Sequence, residues 1–222
     1  MRLLTLIAFV GALFWAYNAK LLPGMNGPGG AFAEDGTAKI LLFTTPECKE
    51  PCAKIVGELH RRRAKFEQVV VSQHDDDENT QRWVKQGRRK FPFLLAGGFS
   101  STVANGPEVA SVLAKTYGLK YLNRDEKKLY GGHFNDYDEP IVVMYGADWC
   151  PYCQKLQKEL REANIAFVEI DVPKHRNKAS ISKTMDIRGY PSTWVGFHRV
   201  SGNDIDSVKA TIKVASKNKH SL

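Results

Sequence analysis

Two cysteines, Cys150 and Cys153, stand three positions apart where a predicted strand gives way to a predicted helix. At the start of a helix, a thiolate accepts hydrogen bonds from unpaired backbone N–H groups and lies near the positive end of the helix dipole. The thiolate is the nucleophile of disulfide exchange. The second cysteine follows one turn later on the same face, where it can attack a mixed disulfide and release product. The spacing therefore predicts reversible disulfide chemistry, with Cys150 as the attacking thiolate and Cys153 as the resolving thiol.

Two other uses of this pair stay open. A zinc site needs two further ligands, and the other two cysteines of the chain, Cys48 and Cys52, lie far upstream. A permanent structural disulfide is the second alternative, although loops this short rarely serve as staples. The residues around Cys150 and Cys153 favour redox chemistry.

Residues 140–217 resemble a glutaredoxin or thioredoxin domain. The Cys-Pro-Tyr-Cys segment, which includes Tyr152, is similar to the glutaredoxin active site, whereas Trp149 and the Gly-Tyr-Pro segment that ends at Pro191 are closer to thioredoxin. The resemblance implies that Pro191 is a cis-proline facing the cysteines and that Tyr190 offers its backbone to an extended substrate. Cis peptide bonds are essentially confined to X–Pro. It also implies that Trp149 and Tyr152 form an apolar rim around the site.

The resemblance extends to a glutathione site but has departures. The segment with Gly202 and Asp204 resembles the glycine–acid turn that glutaredoxins use for the γ-glutamyl group of glutathione. Met144 stands where thioredoxin has a buried acid, and no basic residue shortly precedes Cys150. Asp148 stands there instead, and its charge opposes thiolate formation. Glutathione-linked and thioredoxin-like reduction therefore both stay open, with glutathione as a candidate co-substrate, and no bound cofactor or metal is expected.

A similar order of predicted elements occurs twice, once around Cys48 and once around Cys150. A short apolar run before each cysteine is typical of a buried strand, and a one-sided apolar pattern after it indicates a helix. The first copy has strand 39–45, a helix after Cys48, strand 66–71, helix 79–89, strand 91–95 and helix 107–117. The second has strand 140–145, helix 151–163, strand 166–172, helix 177–186, strand 192–197, a short strand near 199–200 and helix 204–217. Pro92 of the first copy corresponds to Pro191 of the second.

This order, βαβ followed by ββα, predicts an α/β fold of two tandem thioredoxin-like domains, each a central mixed sheet flanked by helices. The first domain, with a CxxxC motif, is expected over residues 37–118, and the glutaredoxin-like redox domain over residues 140–218. Residues 119–139, charged and polar, form the predicted linker.

The first domain contains the second cysteine pair, Cys48 and Cys52. Residues four apart share a helix face, and helix geometry places their Cα atoms about 6 Å apart, within disulfide range. Three roles stay open: a second redox pair together with Pro92, a structural or vestigial pair, and a copper site with a distant histidine. The available histidines, otherwise expected at the surface, are His60, His74 and His133. For the whole protein, the rival hypothesis is a non-enzymatic, copper-chaperone-like module that binds a partner or a metal.

The N-terminal segment, residues 1–33, predicts export. Arg2 is followed by an almost entirely apolar and aromatic run over residues 3–17, which matches a secretory signal. A Gly/Pro-rich stretch leads to Ala-Phe-Ala at residues 31–33, a cleavage-type motif. Cleavage and an uncleaved membrane anchor both stay open, since the run is short for a full span of about 20 residues. In either case the redox domains are expected outside the cytoplasm, periplasmic in a bacterium, where disulfides persist.

The composition is that of a basic globular protein. The chain has 222 residues, a net charge of +8 and a pI of about 9.3, so an anionic partner and a merely basic surface both fit. The basic clusters carry no nucleic-acid motif or aromatic stacking pattern, and no nucleic-acid partner is expected. The expected partners are protein disulfides or glutathione-mixed disulfides, a separate electron donor and, through an uncleaved N-terminus, a membrane.

Overall fold

The computed structural model of the chain describes residues 30–72 and 76–217. The predicted export or anchor segment, residues 1–33, falls mostly outside this part of the chain, and so does His74. Among the residues described, no helix is long and apolar enough to cross a membrane. The hypotheses about the N-terminus therefore stay predictions.

Both predicted units form, each around four strands. The elements of the first unit are β1 (Ile40–Thr44), a 3-10 turn (Pro46–Cys48), α1 (Lys49–Arg61), β2 (Glu67–Val70), α2 (Glu78–Lys85), β3 (Phe93–Ala96), β4 (Phe99–Thr102) and α3 (Gly106–Tyr117). Helix α4 (Arg124–Gly131) lies between the units. The elements of the second unit are β5 (Val142–Gly146), α5 (Pro151–Glu162), β6 (Phe167–Asp171), α6 (Lys178–Thr184), β7 (Ser192–Val195), β8 (His198–Arg199) and α7 (Ile205–Lys217).

The two sheets are mixed and have the same strand order. In the first, β1 is parallel to β2 and antiparallel to β3, which is antiparallel to β4, giving the order β2-β1-β3-β4. In the second, β5 is parallel to β6 and antiparallel to β7, which is antiparallel to β8, giving the order β6-β5-β7-β8. Two mixed sheets flanked by helices confirm the predicted α/β fold of tandem thioredoxin-like domains.

The second sheet separates two cores. Because side chains alternate along a strand, the even-numbered residues of β5 face the core that contains Cys150 and Cys153, which α5 and α7 cover. The odd-numbered residues Val143 and Tyr145 face the opposite core, together with Trp194. Both cysteines therefore lie on the same side of this sheet.

Helix α3 contributes to the cores of both units. Its residues Val109, Val112 and Leu113 lie in the core under the first sheet. On another face of the helix, Ala110 and Ala114 are fully buried in the second unit's core, on the side opposite the cysteines. The last helix of the first unit thus covers one face of the second sheet.

The predicted linker, residues 119–139, contains the ordered helix α4. Asn123 and Glu126 form a capping box at its start, an arrangement that satisfies two otherwise unpaired backbone donors. Glu126 also accepts hydrogen bonds from both terminal nitrogens of Arg62, at 2.6 and 2.7 Å. The two side chains are 4% and 3% exposed, so a buried bidentate ion pair fixes α4 to the end of α1.

Residues 31–33, the predicted cleavage motif, are tied to the first sheet. Ala31 is buried, and its N–H donates to Gly97 O at 2.9 Å between β3 and β4. Its carbonyl accepts from Lys39 N at 2.7 Å, just before β1. Phe32 forms a bridge with Ala38. The motif therefore belongs to a hydrogen-bonded part of the first unit.

Candidate redox site

Cys150 lies where β5 has ended and α5 begins. It is the N-cap of α5, with an extended backbone, and Pro151 occupies the first helical position, where a missing N–H costs little. The Cys150 sulfur accepts a hydrogen bond from the backbone N–H of Cys153 at 3.3 Å. This is the contact that the sequence predicts for a thiolate at a helix start, and it stabilises negative charge on that sulfur.

Cys153 differs from Cys150 in its surroundings. Both thiols are free, but Cys153 is completely buried, whereas Cys150 retains 4% exposure. Burial, with a hydrogen bond to Cys150, raises the pKa of the Cys153 thiol to about 12. Cys153 is therefore protonated at neutral pH, and Cys150 is the sulfur of the pair that retains contact with solvent.

The segment before β7 faces the cysteines. The Tyr190–Pro191 peptide bond is cis, as the resemblance implies, and Pro191 is buried. The Cys150 thiol lies 3.6 Å from the carbonyl oxygen of Tyr190. This contact brings the backbone of the segment directly against the candidate nucleophile.

Exposed aromatic side chains surround this contact. Trp149 and Tyr152 are 66% and 67% exposed, which is unusual for side chains with this much apolar area. The Trp149 ring meets the half-buried Tyr190 ring edge-on, with centroids 6.2 Å apart. The three residues form the surface next to Cys150; their role in substrate binding stays a prediction.

The predicted glutathione turn, which includes Gly202 and Asp204, caps α7. Asp204 accepts hydrogen bonds from the N–H and the hydroxyl of Ser207, at 2.9 and 2.8 Å, and these bonds lower the pKa of its carboxyl. Gly202 has φ +119°, a conformation that favours glycine. With its amide nitrogen turned toward acceptors, Asn203 donates to Pro191 O at 3.1 Å. Asn203, a residue of the predicted turn, thus joins the turn to the cis-proline segment through a contact that the sequence did not indicate. A glutathione role for the turn stays a prediction.

Lys174 is a residue that sequence analysis missed. Its ammonium lies 2.5 Å from the Asp148 carboxylate and 3.7 Å from that of Asp171. The hydrogen bond from Lys174 holds the pKa of Asp148 below its usual range. Lys174 therefore partly offsets the one negative charge that the sequence places just before Cys150.

The cysteine pair of the first unit, Cys48 and Cys52, is oxidised. Cys48 and Cys52 form a disulfide with Cα atoms 5.5 Å apart, which confirms that this spacing allows the bond. Cys48 is half-buried and Cys52 is buried. Pro92 is buried and preceded by a cis peptide bond, like its counterpart in the second unit. The role of Cys48 and Cys52 as a second redox pair stays a prediction.

The candidate metal-binding histidines do not converge on the cysteines. His133, expected at the surface, is instead buried in the second unit, where its ring nitrogens meet Gly196 O and Tyr145 Oη, each at 2.9 Å. The expectation that His133 lies at the surface was wrong, because the residues that bind its ring are distant in sequence and gave no local signal. His60 packs against Phe66. Over residues 30–72 and 76–217, no group of three or more His, Cys, Asp or Glu side chains could hold a metal ion.

Comparisons with known proteins agree with this site. The family model described as glutaredoxin matches residues 142–200. A glutaredoxin of Pseudomonas aeruginosa is 32% identical over 66 residues, which are 29% of this chain and 79% of that protein. A thioredoxin domain-containing protein of Acanthamoeba polyphaga mimivirus is 27% identical over 97 residues, which are 37% of this chain and 28% of that protein. The chain thus spans little more than a quarter of the viral protein.

Solved structures of similar proteins include several glutaredoxins. The wheat protein is 14% identical, with 41% of this chain and 93% of that chain covered and a TM-score of 0.33. The protein from Brucella melitensis is 23% identical, with 38% and 95% covered and a TM-score of 0.29. The fold assignment rests on the strand order described above.

Proposed function

Because the chain belongs to the glutaredoxin family, whose function is thiol–disulfide exchange, we propose that it is a thiol–disulfide oxidoreductase with Cys150 as nucleophile. The observation that carries this proposal is the asymmetry of the cysteine pair. The Cys150 sulfur accepts a hydrogen bond from the helix start, whereas Cys153 is fully buried with its pKa raised to about 12. One sulfur is prepared to attack, and the other is protected from solvent until a mixed disulfide has formed.

The proposed reaction is two successive exchanges. The Cys150 thiolate attacks one sulfur of a substrate disulfide, the substrate S–S bond breaks, and the other substrate sulfur leaves as a thiolate. Cys153 then loses its proton to water and attacks the Cys150 sulfur. The Cys150–substrate bond breaks, the second substrate thiolate leaves, and the Cys150–Cys153 disulfide remains. An external dithiol, or two molecules of glutathione, returns the two electrons.

The substrates proposed are protein disulfides and glutathione-mixed disulfides. The exposed Trp149 and Tyr152 next to Cys150 suit an extended peptide with apolar side chains, because aromatic surfaces bury large area at low entropic cost. The Tyr190 carbonyl, which is 3.6 Å from the nucleophile, would align the backbone of such a peptide. We further propose that Cys48 and Cys52 form a second redox pair.

We propose that the chain works outside the cytoplasm and is held at a membrane by its N-terminal segment. The buried Ala31 and its backbone hydrogen bonds favour retention of the segment, since cleavage after residue 33 would remove these contacts. Fractionation of cells that express the full chain tests this proposal. Recovery of a shortened, freely soluble form would contradict it.

The function is tested with cysteine variants of the full chain in insulin reduction and in reduction of a glutathione-mixed disulfide. Cys150→Ser is expected to abolish turnover, and Cys153→Ser to accumulate mixed disulfides that a thiol reductant releases. The Cys48→Ser/Cys52→Ser double variant is the matched control, and it should retain the chemistry of the second unit. Turnover by Cys150→Ser would refute the mechanism. Stoichiometric copper or zinc in the purified protein would favour the non-enzymatic module instead.

A further inference from the structure

A crevice between the two units lies away from the cysteines. Its volume is about 420 Å³, and both units line it. Helix α3 and strand β4 of the first unit form one wall, with Ser100, Ser111 and Lys115. The end of α6 and strands β7 and β8 form the other wall, with Trp194 and Arg199. A ligand in this crevice would therefore touch both units.

Lys115 presents an unpaired positive charge to the crevice. It lies four residues after Ser111 on α3, so the two side chains share a helix face. In the part of the chain that the structure describes, no residue hydrogen-bonds or pairs with its ammonium. Burial lowers the pKa of Lys115. Lys115 is half-buried, so its ammonium is only partly hydrated and an anionic partner would stabilise it.

Arg199 adds a second cation on the opposite wall. Its guanidinium lies 5.0 Å from the centre of the Trp194 ring. Two of its nitrogens donate at long distances, 3.2 Å to Asp186 O and 3.4 Å to Ser192 Oγ. Both acceptors are uncharged, and a guanidinium carries five N–H donors. Arg199 therefore retains donors for a ligand.

The carboxylates that line the crevice are already occupied. Arg188 pairs with Glu108 at 3.4 Å and with Asp186 at 2.8 Å. These three side chains form a network that joins α3 to the end of α6. The two carboxylates and one guanidinium of this network leave one net negative charge, so Lys115 and Arg199 give the charged lining of the crevice an excess of one positive charge.

We infer that this crevice binds a small oxyanion, namely phosphate or a small molecule that carries a phosphate group. Such an anion would supply Lys115 with the missing partner and would accept hydrogen bonds from Arg199. Charge-assisted hydrogen bonds of this kind are the strong ones in proteins. The crevice also has room for an organic group beside the phosphate. This site is independent of the disulfide chemistry proposed above.

The test uses the purified full chain in detergent, with inorganic phosphate as the probe. Calorimetric titration, in buffer matched for ionic strength with sodium chloride, measures the affinity. Lys115→Met is expected to weaken phosphate binding about tenfold or more, as for loss of a charge-assisted hydrogen bond. Lys120→Met is the matched control, because Lys120 is exposed beside Tyr121 and lies outside the crevice.

A second readout separates binding from misfolding. In phosphate-free buffer, Lys115→Met is expected to melt at the same temperature as the parent or higher, since it removes an unpaired, half-buried charge. Phosphate should then raise the melting temperature of the parent and of Lys120→Met but not that of Lys115→Met. Absence of phosphate binding to the parent, or equal binding by Lys115→Met, would overturn the inference.

Discussion

Acidification is expected to weaken the fold through His133. This residue is fully buried, and its Nδ1–H donates to Gly196 O while its Nε2 accepts from the Tyr145 hydroxyl. Burial lowers the pKa of His133 from 6.5 to about 4. The folded state therefore keeps the ring neutral in a pH range where the unfolded chain takes up a proton.

The size of this loss of stability follows from the difference between the pKa of His133 in the folded and in the unfolded state. The free energy of unfolding rises with pH wherever the unfolded state binds more protons. The contribution of neutral His133 to stability is therefore fully present above about pH 6.5. As pH falls from there to about 4, this contribution is lost, and it stays constant below. At about 1.4 kcal/mol per pKa unit, the loss is about 3 kcal/mol.

Urea unfolding between pH 7.5 and 4, followed by tryptophan fluorescence, measures this effect. Other groups titrate in the same range, so the His133→Gln variant serves as the reference, because glutamine can replace both hydrogen bonds and does not ionise. The difference in unfolding free energy between parent and variant should fall by about 3 kcal/mol on acidification. His60→Gln, which alters an exposed histidine, controls for unspecific effects. A difference that does not change with pH would refute the reasoning.

Three other predictions concern the stability of the fold and the core that the two units share. Glu126→Ala should cost about 1.5 to 3 kcal/mol in urea unfolding, because the buried Arg62 loses its bidentate hydrogen bonds to a carboxylate and keeps Glu58 as its one charged partner; a cost below about 1 kcal/mol would contradict the buried ion pair. Gly202→Ala should cost about 1 kcal/mol or more, because of the positive φ and because its Cβ would lie 2.7 Å from Ser207 Oγ; unchanged stability would be the opposing result. The isolated unit over residues 140–218 should bind the dye ANS more strongly than the whole chain, since the apolar face that α3 covers becomes exposed; equal binding would count against a shared core.

Much of the fold could be predicted because its signals are local. The apolar runs before Cys48 and Cys150 and the one-sided patterns after them indicate the strands and helices that form. The cysteine spacing in turn predicts the position of Cys150 at a helix start, since three residues complete about one turn. Strand β4 escaped prediction because Phe99–Thr102 is an edge strand, mostly exposed and short of apolar residues. Its formation depends on pairing with β3.

What sequence analysis missed depends on partners that are distant along the chain. His133 is buried because Gly196 and Tyr145, 63 and 12 positions away, hold its two nitrogens. Lys174 meets Asp148 across 26 positions. Nothing in the local pattern of charges marks either residue, because the spacing of residues along the chain does not indicate which loops fold onto one another. Contacts of this kind become visible in the structure alone.

The position of helix α3 explains how the two units combine without hindering the redox site. The second sheet has Cys150 and Cys153 in the core on one side and Trp194 in the core on the other. The first unit attaches to the Trp194 side, through Ala110 and Ala114. The aromatic surface beside Cys150 therefore stays exposed, and a large protein substrate can approach it. It follows that substitutions in the docking core should change the stability of the protein, whereas substitutions beside Cys150 should change the rate of disulfide exchange.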